Sequence, residues 1–185
     1  MMKDHEKIAP FSCNIALIGF MGTGKSTVAE CLGRMSGMRV VEMDEEIAAR
    51  QGMTIPEIFA KHGERYFRSL ETGLLRELGS GENCIISCGG GAALREENVA
   101  LMKRNGKVVL LTAAPETIAR RVKGDSTRPL LKDNQSAAYI ADMMEARRPR
   151  YEAAADIVIQ TDDRTAEEIC GELLTKIRGM GEKDV

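Results

Sequence analysis

No apolar run in this chain of 185 residues approaches the length needed to span a membrane. The short apolar run at residues 15–18 is too brief for a signal core, runs into a glycine-rich loop and is followed by no small-residue cleavage site. A cytoplasmic protein without a leader is therefore expected. Charge of one sign is equally scarce. The formal net charge is −2 and the sequence pI is near 5.8, which argues against a nucleic-acid or anionic-membrane surface. There are only two histidines, His5 and His62, and no zinc-ligand spacing emerges. The five cysteines (Cys13, Cys31, Cys84, Cys88 and Cys170) are odd in number and read as free thiols in a reducing compartment. Repeats and low-complexity segments are missing too. What remains, with 43% apolar and 29% charged residues, is the composition of one globular domain with a good core.

One stretch organises that domain. Gly19-Phe20-Met21-Gly22-Thr23-Gly24-Lys25-Ser26-Thr27 spells G-x-x-x-x-G-K-[ST], the P-loop pattern. A short apolar run precedes it, as a buried parallel strand requires, and Val28, Cys31, Leu32 and Met35 follow at helical spacing. The bare pattern arises by chance in roughly one chain of this size in a hundred, and the strand–loop–helix context removes most of that risk. The glycines let backbone N–H groups curl around phosphate oxygens, and the helix that starts there favours an anion. Gly22, Thr23, Gly24, Lys25, Ser26 and Thr27 are thus candidate ATP-binding residues, with Lys25 reaching the β- and γ-phosphates and the Ser26 hydroxyl placed for Mg²⁺.

Alternating strand and helix patterns run through the rest of the chain. Strands are expected at residues 14–18, 39–43, 83–87, 107–112 and 156–160. Helices are expected at 44–51, 55–62, 64–78, 96–104, 115–123, 137–147 and 165–178, with Gly63 a break, Pro149 a stop and a fraying tail from 179. The alternation implies an α/β three-layer fold: a five-stranded parallel sheet with helices on both faces. Three helical pieces between the second and third strands exceed what one crossover needs, which suggests an inserted substrate-binding lobe at about 43–79. A lid is expected at about 123–135, leaving a core of 13–42, 80–122 and 136–178.

Ligands of such sheets bind beyond the carboxyl ends of the strands. Glu42 and Asp44 fall at one such end, two residues apart, and on a strand that spacing puts both on one face. One suits Mg²⁺ and the other an acceptor hydroxyl, although acids also favour the first turn of a helix. Gly89-Gly90-Gly91 follows a buried strand and offers close backbone approach to a ligand. Arg68, beside Phe67, can fork onto a carboxylate, but spacing alone favours a solvated arginine paired with Glu64 or Glu71. Arg128 sits in a loop placed to close over phosphates. Pattern alone does not choose among it, Arg120, Arg121, Arg147, Arg148 and Arg150.

Taken in order, these motifs resemble the shikimate kinase family, over residues 14 to 178. The P-loop is followed by an acidic pair, then Gly63-Glu64-Arg65-Tyr66-Phe67-Arg68, then the glycine triplet. Arg128-Pro129-Leu130-Leu131 and Arg147-Arg148-Pro149-Arg150-Tyr151 complete the series. The resemblance implies a monomeric, Mg²⁺-dependent kinase acting on ATP and shikimate. Lys25, Asp44 and Arg128 would be catalytic, with Asp44 on the 3-hydroxyl and Arg128 in the lid. Arg68 and Arg147 would grip the shikimate carboxylate, and Gly89, Gly90 and Gly91 would approach the ring. Arg121 and Arg164 would flank the adenine, while Ser26 and, through water, Glu42 would serve the metal. Two positions depart from the pattern: Glu42 stands for an aspartate and Arg150 for a leucine. Gluconate kinases and nucleoside monophosphate kinases share the P-loop layout, but the triplet and the Phe67-Arg68 pair argue against both. A GTPase lacks support without an N-K-x-D motif, and a non-catalytic nucleotide-binding regulator fits poorly with Lys25, Ser26, Asp44 and Arg128 all present.

Overall fold

A computed structural model describes residues 9–123 and 136–181 of the chain. The lid segment and its Arg128 lie outside the described residues beyond Lys123. Five strands, β1 (Asn14–Ile18), β2 (Arg39–Glu42), β3 (Cys84–Ser87), β4 (Gly106–Thr112) and β5 (Ile157–Gln160), form one parallel sheet in the order β2-β3-β1-β4-β5. Among the described residues seven α-helices accompany them: α1 (Lys25–Ser36), α2 (Met43–Gln51), α3 (Ile55–Leu78), α4 (Glu96–Arg104), α5 (Pro115–Val122), α6 (Ala137–Ala154) and α7 (Ala166–Gly181).

Alternation along β1 builds the core. Ile15 and Leu17 join a cluster on one face with Val28 and Leu32 of α1 and Ile169 and Leu173 of α7. Ala16 and Ile18 face the other way, into a cluster with Phe67 and Leu75 of α3, Ile118 of α5 and Ile140 of α6. A strand buried on both faces takes apolar side chains on both, as residues 15–18 of β1 do. The fold is therefore the expected three-layer α/β arrangement. At the foot of β1 the buried Asn14 amide accepts from the Cys84 N–H at 2.8 Å and donates to the Leu78 carbonyl at 3.2 Å. One polar side chain thus ties β1, β3 and the end of α3 together.

Several element boundaries follow their local chemistry. Thr54 and Glu57 form a reciprocal capping box at the start of α3, worth about 1 kcal/mol. Gly63 breaks α3 as its sequence implies, with φ 79° and ψ 170°, yet the two segments continue through the kink. Pro149 does not stop α6, which runs on to Ala154. The missing proline N–H forfeits one helical bond, but burial of Tyr151 and Ala154 holds the last turn against the core. The tail likewise stays helical to Gly181. The strand end carrying the acidic pair needs correction: β2 stops at Glu42, and Asp44 already lies in the first turn of α2. Both acids remain at the carboxyl end of the sheet, but not through two-residue strand spacing.

Candidate active site

The P-loop leaves β1 and enters α1 through Gly24, whose φ of 92° suits glycine and positions the first turn of α1. The loop is locked from within. The Thr23 hydroxyl donates to the Phe20 carbonyl at 2.8 Å, and Lys25 Nζ donates to the carbonyls of Gly19 and Phe20, both at 3.0 Å. Lys25 thus lies along its own loop, anchored to two of its carbonyls.

Ser26, in the first turn of α1, donates its hydroxyl to Glu42 Oε2 at 3.0 Å. The other oxygen of Glu42, Oε1, is buried with no partner among the described residues. Burial pushes the Glu42 carboxyl above its ordinary value, against the hydroxyls of Ser87 and Ser26, which lower it. A half-buried carboxylate with a spare oxygen, beside a hydroxyl, is a donor pair for a hard cation.

The glycine triplet collects the remaining groups. A Cβ on Gly89 would meet Asp44 Oδ1 at 2.8 Å and Glu71 Oε1 at 3.0 Å. A Cβ on Gly91 would meet Arg68 Nη1 at 2.3 Å, and one on Gly90 would come within 3.8 Å of the Gly19 carbonyl oxygen and the Met21 nitrogen. Asp44 and Arg68 therefore press against the two ends of the triplet, while its middle faces the P-loop. The Tyr151 hydroxyl, buried, donates to the Gly90 carbonyl and fixes the segment to α6.

Arg68 does form the helical pairs that its spacing suggests. Its Nη2 bonds Glu64 Oε1 at 2.9 Å and its Nη1 bonds Glu71 Oε2 at 2.9 Å. It is nonetheless at the site, because Glu71 is wholly buried and aims it at Gly91. Sequence reading treated Glu71 only as a pairing neighbour. The missed signal was a carboxylate on the buried stripe of α3, in line with Phe67, Leu74 and Leu78. Burial raises its carboxyl, Arg68 opposes this, and the Asp44 charge adds to the rise.

The arginines that the sequence left unsorted separate by contact. Arg147 lies over the ring of Phe20 in the P-loop, 5.5 Å from its centroid. Arg148 turns to Glu145 at 2.6 Å, and Arg150 donates to the Leu94 carbonyl at 3.1 Å. Arg120 pairs with Asp163 at 3.5 Å. Arg121 donates to the Gly22 carbonyl at 3.2 Å and to the backbone of Thr161 at 2.8 Å. Arg164 is held by Glu172 at 2.6 Å and by the Gln160 carbonyl at 3.0 Å.

The chain is similar to known proteins in sequence and in fold. A sequence model of shikimate kinase matches residues 21–178. The chain belongs to the shikimate kinase family. A shikimate kinase of Geobacter metallireducens is 42% identical over 166 residues, covering 90% of this chain and 92% of the relative. One from Geobacter sulfurreducens is 44% identical, covering 89% and 91%. Among solved structures, a shikimate kinase from Acinetobacter baumannii in complex with shikimate is 35% identical with a TM-score of 0.85, covering 90% of this chain and 93% of that one. A gluconokinase from Sinorhizobium meliloti, at 20% identity and a TM-score of 0.63, shares the fold alone. The family is one of ATP-dependent kinases. The two positions expected to depart from the family pattern both have partners: Glu42 accepts from the Ser26 hydroxyl, and Arg150 donates to the Leu94 carbonyl in the segment after the triplet.

Proposed function

We propose that this protein transfers the γ-phosphoryl group of ATP to the 3-hydroxyl of shikimate, giving shikimate 3-phosphate and ADP. The observation that carries this reading is the convergence on Gly89–Gly91 of Asp44, Arg68 and the P-loop. A hydroxyl-binding carboxylate, a carboxylate-binding guanidinium and a phosphate cradle then surround one small space. Asp44 holds the acceptor hydroxyl and takes up its proton as the phosphoryl group arrives. Arg68, aimed by Glu71, and Arg147, stacked over Phe20, grip the acceptor carboxylate in a bidentate manner. Lys25 swings from its loop carbonyls to the transferring group. Catalysis then rests on positioning and charge, as in-line phosphoryl transfer requires.

Ser26 and Glu42 fit Mg²⁺, because the buried, unpartnered Glu42 Oε1 needs a cation or donor and the Ser26 hydroxyl lies beside its twin. Mg²⁺ commonly takes only one or two protein ligands beside substrate phosphates. When bound it neutralises charge on the β- and γ-phosphates. Arg128 is assigned to the lid by its motif, and the lid at 123–135 and lobe at 43–79 are assigned to closure that excludes water. Arg121 and Arg164 are assigned to the adenine side by resemblance; the commitment of Arg164 to Glu172 makes Arg121 the better supported. A cytoplasmic monomer is inferred from the resemblance, and the free thiols suit a reducing compartment.

The test follows ADP release from Mg-ATP with shikimate, gluconate, AMP or no acceptor. Release only with shikimate is expected. Release only with another acceptor overturns the substrate assignment, beginning with Arg68 and Arg147.

A further inference from the structure

We infer that Thr161 is a positioning residue of the nucleotide site: it holds the Thr23 peptide and Arg121 in their ATP-binding orientation before nucleotide arrives. The inference rests on the kinase reading above, but on its nucleotide half alone.

Thr161 is the first residue beyond β5 and is 1% exposed. Its N–H donates to the Thr112 carbonyl at 2.8 Å, which extends the β4–β5 ladder by one residue. Its hydroxyl oxygen lies 3.0 Å from the Thr23 carbonyl and 3.1 Å from that of Thr112, and accepts from Arg121 Nη1 at 3.0 Å. A hydroxyl has one proton and two lone pairs, so the Thr23 and Thr112 carbonyls share the proton while Arg121 takes one lone pair. Arg121 Nη2 takes the Thr161 carbonyl at 2.8 Å, and Nη1 reaches on to the Gly22 carbonyl at 3.2 Å. A single buried side chain therefore links the ends of β4 and β5, the P-loop and α5.

The consequence follows from peptide geometry. A phosphate-binding loop turns its N–H groups inward, so its carbonyls must turn outward and find partners. In the trans peptide between Thr23 and Gly24 the carbonyl and N–H are antiparallel. Fixing the Thr23 carbonyl on Thr161 thereby aims the Gly24 N–H the opposite way. A Cβ at Gly24 would meet nothing within 4 Å, so the loop stands open there. The same hydroxyl fixes the plane of the Arg121 guanidinium, whose side chain is exposed on its remaining side. Holding both groups in advance removes an ordering cost from nucleotide binding.

Thr161→Val keeps the shape and removes the hydroxyl, leaving a loop carbonyl and an arginine N–H without their partner. Affinity for a non-transferable Mg-ATP analogue, measured without acceptor, is expected to fall roughly tenfold. The KM for ATP should rise in parallel, the KM for shikimate should stay within twofold, and Thr161→Ser should restore both ATP values. Should the valine variant fail to fold, Thr161→Ala carries the same expectation. A merely structural role would lower stability and shift both substrates together. The inference is overturned if the valine or alanine variant binds the analogue like the parent. It is equally overturned if serine fails to rescue, or if both KM values rise alike. A parent that binds the analogue but forms no ADP with shikimate would sink the proposed reaction while leaving this comparison readable.

Discussion

Replacing Gly91 by alanine isolates the acceptor grip. The Gly91 backbone, at φ −97° and ψ −12°, accepts any residue, so no strain accompanies the change. The added Cβ, however, would lie 2.3 Å from Arg68 Nη1 and 2.6 Å from both Cζ and Nη2. Ordinary contact needs about 3.5 Å, so the guanidinium must retreat by about 1 Å. Arg68 is the far end of a flexible side chain, so the fold yields readily and the loss falls on ligand geometry. A retreat of about 1 Å takes a charge-assisted bond beyond hydrogen-bonding reach. At about 1.5–3 kcal/mol for a bond to a charged group, the KM for shikimate should rise roughly 10- to 100-fold. Affinity for ATP should hardly change.

Coupled assay of ADP formation, with shikimate and ATP varied separately, reads both constants. Arg68→Ala supplies the control, because the Cβ then has no guanidinium to displace. Gly91→Ala should add almost nothing in that background, giving a strongly non-additive cycle. A KM for shikimate within twofold of the parent would refute the reasoning, as would two effects that simply multiply.

Three other outcomes test separate groups. Asp44→Asn should leave ATP affinity intact and cut turnover severely, and near-normal turnover removes Asp44 from its role. Glu42→Gln should raise the Mg²⁺ concentration for half-maximal rate roughly tenfold without altering the KM for shikimate; an unchanged Mg²⁺ titration would detach Glu42 from the metal. Glu71→Gln should alter the pH dependence of stability. The raised folded-state carboxyl of Glu71 means the native protein binds more protons than the unfolded chain above the ordinary glutamate value. Relative to the glutamine variant, the parent is therefore best in acid and loses stability as pH rises through the folded value. Melting curves with a constant difference between the two proteins across pH 4 to 8 would contradict that sign.

Much of this was legible without coordinates because local chemistry and tertiary demand agree. The P-loop spacing, the two-sided apolar strands, the Thr54 cap and the Gly63 break are each set by neighbours in sequence. The misplaced features depend on distant packing. Pro149 stays helical because Tyr151 and Ala154 are buried, and no nearby residue announces that. Spacing alone favours a solvated Arg68 because its helical partners are real, and only the resemblance brings it to the site; burial of Glu71 and the proximity of Gly91 turn the pair inward. Arg147, Arg148 and Arg150 share one turn and one charge, so their different partners had no local signature. Thr161 carried no signal either, since a threonine after a strand is commonplace until its hydroxyl meets the P-loop.

The order of the sheet explains why the site divides as it does. The P-loop issues from β1, the middle strand, so transfer is centred between two pairs of strands. On one side β2 ends in Glu42 and β3 leads to the glycine triplet, with Asp44 and Arg68 arriving from the helices between them. On the other side β4 ends at Thr112 and β5 leads to Thr161, with Arg121 arriving from α5. Glu42, Asp44, Arg68 and the triplet thus hang on the β2–β3 half, the loop-bracing groups on the β4–β5 half, and Arg147 reaches the P-loop from α6. Acceptor specificity is therefore expected to follow α2, α3, the triplet and Arg147 of α6, and nucleotide affinity the loop that Thr161 and Arg121 brace from behind.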